Sequence, residues 1–600
     1  MSVAHHSSSY ILVTPPKVEE LSSPLEKRNF LASQSIYEPL TENEIRLVQL
    51  HPGSKKEPIH CSLTTHLRMR APSYEALSYV WGSQEQPAEI ILEQKAFKIT
   101  KNLEQALLQL RFADDDRILW IDALAINQSD LAERNIQVQQ MRTIYASAST
   151  VLMWLGQPRD PHKFDSMFEI FKLPNGCHSI SAAVLCQLYD IGRLEYFSRA
   201  WVYQEIAYAR NVLVMIGHHS VHYSILDALW TSATMSREGE DSIIAGLKHT
   251  LRRIGIKAFI EPGCARYSGY YHHTNWLKIV MSLHCHDPRD LIFAFYGCFS
   301  PQLRNRLLVD YSESLENVCY QATRAIIETS GDLTIVIWDN NKRPRSASYP
   351  TWVAHIDTKR KVGALVTDNC PELIKASRGQ FSFKATGRIL KVKGILLGVI
   401  TEVGSPFHDH RSVFGSDCSN CEASRCLFEH LSETWSIISQ DSNQMPSVRL
   451  VDTATFGIIR ELGELRDRVR NLLSQLYMEF SNGYEIDRFA NYDDIFKGHF
   501  TIENEFHAMH YGRLMFSFVP RSETSAIGNH RIMSREKLSF GIGSHTIARG
   551  DVICLILGCS GPVVLRQEEN GYQVICGVTV LGEVMSDAIM HLSVQNFFLI

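Results

Sequence analysis

Three short stretches constrain the fold of this chain most. They are Tyr74-Glu-Ala-Leu-Ser-Tyr-Val-Trp-Gly82, Leu119-Trp-Ile-Asp-Ala-Leu-Ala-Ile-Asn-Gln128 and Arg199-Ala-Trp-Val-Tyr-Gln-Glu205. Each joins an apolar, strand-like run to a polar or glycine-bearing turn. An α/β sheet places its functional loops in just this way, beyond the carboxyl ends of its strands.

The segments between these blocks fit the same architecture. Residues 74–80 and 117–122 read as strands, and 89–99 as a hairpin. Asn102 is a suitable N-cap for a helix that puts Leu103, Ala106, Leu107 and Leu110 on one face. Asp130-x-x-Glu133 has the form of a capping box. The helix it opens would bury Val138, Met141, Ile144, Tyr145 and Ala148. Thr150 to Leu155 returns as a strand ending at Gly156, and a helix at 199–209 and a strand at 212–216 close the unit. Strand–helix alternation of this kind predicts a mainly parallel sheet with helices on both faces.

At 600 residues the chain is too long for one core. Residues 1–35, rich in Ser, Pro and charge, read as a disordered lead. The α/β domain follows over 36–220, then a helical middle region over 221–379. An α+β C-terminal domain takes up 380–600. It is β-rich at 380–402 and 512–585, with a helical insertion at about 405–510. Gly541-Ile-Gly543 reads as a loop between its strands. No internal repeat is visible, which excludes a repeat array.

A net charge of −5 without a clustered basic face argues against a nucleic-acid surface. No apolar run reaches the ~18 residues of a spanning helix, and the polar start lacks a signal-peptide core. These features lead to the expectation of a cytoplasmic protein. Fourteen scattered cysteines then read as thiols rather than as a disulfide framework.

The three blocks, in this order and wording, resemble the HET (heterokaryon incompatibility) domain of filamentous fungi. The segments His286-Asp-Pro-Arg-Asp290, Asp310-Tyr311-Ser312 and Pro350-Thr-Trp352 resemble recurrent segments downstream of such domains, and helix capping and packing also account for them. The resemblance implies a role in non-self recognition, with a protein partner and cell death on an incompatible encounter. Self-association is a further expectation. The HET domain is in turn similar to TIR domains, which have a flavodoxin-like sheet. Some TIR domains hydrolyse NAD with a Glu in a Trp-Cys-x-x-Glu-Leu-like segment, and Trp201 and Glu205 keep that spacing. This makes NAD a candidate substrate and the chain a candidate NAD glycohydrolase. The alternatives are a non-enzymatic assembly module and an inactive paralogue. The usual family segment Ala-Ile-Cys-Ile-Asn-Gln has Ala125 at its Cys position here, so no thiol nucleophile is available there.

On this reading Glu205 stabilises the oxocarbenium-like state of nicotinamide cleavage. Nicotinamide leaves as a neutral molecule and needs no general acid. The plain structural alternative for Glu205 is a favourable partner for a helix dipole. Asp122 either accepts hydrogen bonds from ribose or caps the turn through Asn127. Asn127 and Gln128 either read amides and hydroxyls or shape that turn. Trp81 and Trp201 either stack on a ring or pack in the core. Tyr79 completes the candidate ligand-binding set. A separate cluster contains His408, His410, Cys418, Cys421, Cys426 and His430. Its Cys418-x-x-Cys421 spacing fits zinc, and a loop of free thiols is the other reading.

Overall fold

Near-continuous burial along Glu44–Leu50 marks the first strand, β1, with Ile45, Leu47, Val48 and Leu50 buried and Arg46 buried among them. The computed structural model describes residues 36–83, 85, 87–160, 162–171, 181–235, 276, 280, 283–337, 349–356, 383–404, 513–520, 539–580 and 593–600. The chain divides into two compact units. One comprises residues up to Leu77 together with Trp81–Gln137, and the other Ser78–Val80 together with Val138–Ile600.

In the first unit β1 is followed by β2 (His60–Leu67), β3 (Glu75–Tyr79), β4 (Ala88–Leu92) and β5 (Lys95–Ile99). Helix α1 (Lys101–Leu110), β6 (Arg117–Trp120) and the single turn α2 (Asp122–Ala125) come next, then helix α3 (Leu131–Ser147), which belongs to this unit up to Gln137 and to the second from Val138. The strands lie in the order β5-β4-β2-β1-β6-β3. β3 runs parallel to β6 and β2 parallel to β4, whereas β1–β2, β1–β6 and β4–β5 are antiparallel. The sheet is therefore mixed, which corrects the expectation of a mainly parallel one. For β4 and β5 the cause is connection length. A short link such as the Glu93–Gln94 turn, with φ of 49° and 61°, can only reverse the chain, whereas parallel neighbours need a crossover.

α1 buries the four residues its period predicts, Leu103, Ala106, Leu107 and Leu110. Its N-cap is Thr100, whose hydroxyl accepts from Leu103 N at 3.4 Å, and not Asn102. Asp130 caps α3 by accepting from Ala132 N and Glu133 N at 2.9 and 3.1 Å. Glu133 does not complete the box. Its carboxylate accepts from Asn127 N at 2.8 Å and from Arg46 Nη1 at 2.9 Å. The predicted buried face of α3 (Val138, Met141, Ile144, Tyr145, then Ala148) is buried.

The second unit carries β7 (Thr150–Trp154), helices α4 (Asp165–Phe171), α5 (Ala182–Gly192) and α6 (Val202–Ala207), β8 (Val212–Ile216), β9 (His219–His222) and α7 (Tyr223–Met235). β7 and β8 are parallel, and β8 and β9 form a tight antiparallel hairpin. Within the expected helical region 221–379, α7, α8 (Asp290–Phe293), α9 (Pro301–Arg304) and α10 (Leu315–Ser330) are described.

The downstream motifs do structural work here. Arg289 pairs with Asp287 at 2.7 Å and donates to the carbonyls of Tyr311 and Glu313, while the Tyr311 hydroxyl donates to Asp290 at 2.6 Å. Trp352 Nε1 donates to Arg388 O at 2.8 Å, and Thr351 N donates to the terminal Ile600 O at 2.8 Å. These are the packing roles allowed for the three segments.

The same unit holds the C-terminal sheet of β10 (Phe383–Thr386), β11 (Ile389–Val403), β12 (Arg513–Pro520), β13 (Ser539–Ser544), β14 (Val552–Ile556), β15 (Val563–Glu568), β16 (Gly571–Gly577), β17 (Thr579–Val580) and β18 (Val594–Leu599). The strands β11, β14, β15, β16 and β18 pair in a closed circuit. An odd number of strands cannot close with every neighbour antiparallel, and the one parallel contact is β16–β18, at Tyr572 and Leu599. Long β11 turns the corner through irregularities at Leu396/Gly398 and Ile400/Glu402. Leu397, Phe516, Phe518, Ile553, Val564 and Val578 fill the interior. Gly541 and Gly543 sit inside β13, not in a loop as expected. Gly541 faces Phe516 across the ladder, and its missing Cβ is the space the ring occupies. The expected lead at 1–35, the helical insertion at about 405–510 and the Cys/His cluster at 408–430 lie outside the described residues.

Candidate functional site

Two groups of the singled-out residues are brought together, one in each unit. In the first unit, Trp81 follows β3 and Asp122 follows β6, the parallel neighbour of β3. The Trp81 indole N–H donates to Asp122 Oδ2 at 2.9 Å. Asp122 Oδ1 accepts from Ala123 N at 2.8 Å, so the carboxylate also holds the start of α2. Gln128 Nε2 donates to the Asp122 carbonyl at 3.0 Å, and Asn127 Oδ1 accepts from Ser129 N at 3.2 Å. Trp81, Asp122, Asn127 and Gln128 are all partly exposed. A half-exposed indole beside a carboxylate, on a loop closed by two amide side chains, offers a flat apolar face and a hydrogen-bond acceptor.

This loop rests on a buried ion pair that the sequence did not reveal. Arg46 and Glu133 are 2% and 7% exposed and meet at 2.9 Å. The Arg46 guanidinium also donates to Ala125 O and Glu38 O, each at 2.6 Å. Glu133 holds Asn127 N, so one pair fixes the backbone on both sides of Ile126.

In the second unit the site residues are buried. Glu205, on α6, is 1% exposed. Its Oε2 accepts from the Ser78 hydroxyl, and Ser78 Oγ lies 2.6 Å from the Tyr196 hydroxyl. Arg199 Nη1 stands 3.9 Å from Glu205 Oε2 and donates to the Tyr79 carbonyl. A bridge to His284 fixes the Arg199 backbone, with Ala200 N donating to His284 O at 3.2 Å. Burial first, and then the Glu205 charge, push the Tyr196 phenol well above its ordinary pKa, so Tyr196 is a neutral hydroxyl. Tyr79 is buried at 2% exposure. Trp201 is partly exposed, and its carbonyl accepts from Gln204 N and Glu205 N at 3.2 and 3.3 Å. The neighbouring Gln204 is fully buried and accepts from Gly297 N at 3.1 Å, and Tyr208 donates to Gly297 O at 2.9 Å. A Cβ at Gly297 would collide with the Gln204 amide and the Arg142 side chain, so glycine is required there by close approach.

Ser78, Tyr196 and Arg199 were not candidates from sequence, although Ser78 and Arg199 lie inside the blocks. The signal that could have found them is chemical. A Glu in an apolar block needs donors, and a Ser and an Arg are the polar residues those blocks supply.

The first two blocks end in the turns after the parallel strands β3 and β6, and the third runs into α6. Residues 74–205 match the model of the family described as Heterokaryon incompatibility protein (HET). Over 142 residues it is 38% identical to Heterokaryon incompatibility protein 6, OR allele, of Neurospora crassa, a stretch that makes up 21% of each chain. The chain thus spans about a fifth of the length of the curated relative it matches, 21%. No solved structure matches it.

Proposed function

We propose that this chain acts in fungal non-self recognition and that its HET domain signals death of the cell when an incompatible partner is met. The carrying observation is the match over 74–205, which contains all three blocks and ends on Glu205. The relative named for heterokaryon incompatibility supports it. The proposed setting is the cytoplasm, with a protein partner and self-association as the means of triggering. Among the described residues no helix is long and apolar enough to cross a membrane.

Two chemistries fit such a signal. In one the domain has a TIR-like activity and hydrolyses NAD. Within the second unit Glu205 faces the developing cation and Trp201 stacks on a ring; within the first, Asp122 offers an acceptor to hydroxyls and Trp81 a stacking face. In the other the domain signals by assembly and catalyses nothing. The burial of Glu205 favours assembly. A carboxylate that stabilises an oxocarbenium ion must touch it, and this one is 1% exposed and bonded to Ser78. Hydrolysis therefore requires α6 to move and release it on activation. Purified full-length chain incubated with NAD tests this point. Assembly predicts no free nicotinamide from wild type, and release that disappears in Glu205→Gln would establish hydrolysis instead. An inactive paralogue would neither release nicotinamide nor kill.

A further inference from the structure

The loop after β8 gathers side chains that the HET reading leaves unused. Ile216 pairs with His219 across a two-residue turn, Gly217–His218. Gly217 has φ +57°, and a Cβ there would sit 3.1 Å from the Pro158 ring. Glycine thus makes the turn possible and sets two consecutive histidines at its exit. Their rings lie 3.9 Å apart, and the His219 ring stacks on Phe168 of α4 at 4.3 Å and 13°, which fixes its plane. His219 Nε2 lies 2.8 Å from Asp165 Oδ1, and His162 Nδ1 lies 2.8 Å from Asp165 Oδ2. Donor atoms of Asp165, His218 and His219 all lie within 4.8 Å of one another, and no other described residues form such a group of three.

We propose that Asp165, His218 and His219 bind a divalent transition-metal ion, zinc in the first instance, with His162 orienting the carboxylate. Two imidazoles and a carboxylate are a donor set that suits zinc and its neighbours better than magnesium or calcium. Zinc bonds of about 2.0–2.1 Å put tetrahedral donors about 3.3 Å apart. The 4.8 Å envelope reaches that by a small closing of the exposed His218 ring. The ion takes the place of the proton shared between His219 and Asp165. Phe168 and His162 then act as the outer partners that hold first ligands in orientation. Bound metal ties the β8–β9 turn to the start of α4, so occupancy stiffens this edge of the unit.

Cobalt(II) added to chelator-treated full-length protein is the test. A nitrogen–oxygen site gives visible d–d bands without the near-ultraviolet sulfur-to-cobalt transition that a cysteine site produces, which separates it from the cluster at 408–430. We expect such bands in wild type, displaced by zinc. His218→Gln and Asp165→Asn should weaken binding by at least ~100-fold, and His162→Gln by ~10–100-fold, as for an outer partner. His218 is exposed, so its replacement leaves the fold intact. Absence of the bands, thiolate-type bands alone, or unchanged affinity in both His218→Gln and Asp165→Asn would overturn the assignment.

Discussion

Replacing Glu133 by Gln should destabilise the first unit far more than a change of one atom suggests. The carboxylate is 7% exposed, faces a guanidinium that is 2% exposed at 2.9 Å, and also holds Asn127 N at 2.8 Å. Gln keeps the volume and can still accept from Asn127 N, but it leaves the Arg46 charge buried without its counter-ion. Breaking a buried pair from one side costs about 3–5 kcal/mol. That is a large share of a total stability of about 5–15 kcal/mol. For a body of this size it lowers the melting temperature by about 6–20 °C. The carbonyls of Ala125 and Glu38 also satisfy Arg46, and these bonds keep the loss from being larger. Scanning calorimetry of the full chain, following the transition that contains this unit, measures the effect. Replacing both partners with apolar residues, Arg46→Met with Glu133→Leu, should recover most of the loss, because no lone charge remains. A Glu133→Gln protein that melts within a degree or two of wild type would refute the view that this pair fixes the 125–128 loop.

Tyr196→Phe removes a hydroxyl from the Ser78–Glu205 group and should cost about 1–3 kcal/mol by leaving that group short of a bond, read in urea unfolding. The Tyr196 phenol is raised in the folded state, so its contribution is present below the unfolded-state pKa of about 10 and fades as pH rises past it. Alkaline stability should therefore fall less steeply in Tyr196→Phe. Cys61 is pushed up to about 12 by burial, whereas Cys186 is exposed. Brief alkylation at pH ~8, followed by mass spectrometry, should label Cys186 and spare Cys61. Metal analysis of the purified His218→Gln protein decides the cluster at 408–430. We expect no stoichiometric zinc there, and bound zinc with thiolate ligands would assign it.

What could be read from the sequence follows the range of the forces involved. The buried faces of α1 and α3 and the strand at 212–216 are set by local periodicity, and they appear where that periodicity puts them. The Trp81 and Asp122 turns were legible as turns because an apolar run ends there. Their mutual hydrogen bond was not, since it depends on β3 and β6 being parallel neighbours. The mixed character of the sheet escaped because β1 and β2 were not assigned as a pair, and their pairing reverses the direction of part of the sheet. Glu133 has the spacing of a capping residue, and local pattern favoured that reading. A buried guanidinium 87 positions away in sequence outcompeted the helix end for it. Glu205 illustrates the same limit. Its block reads as a site, yet the Ser78 hydroxyl, 127 positions away in sequence, and through it Tyr196 enclose it.

The central claim is that the domain signals an incompatible encounter with Glu205 as an internal, hydrogen-bonded carboxylate. The most direct measurement expresses wild type and Glu205→Gln at matched, folded levels in fungal cells and follows viability together with intracellular NAD. The account predicts that wild type kills, that NAD does not fall before viability does, and that a folded Glu205→Gln protein still kills. NAD collapsing ahead of death in wild type, with both effects abolished in a folded Glu205→Gln protein, would contradict it and make Glu205 the catalytic residue of an NAD hydrolase.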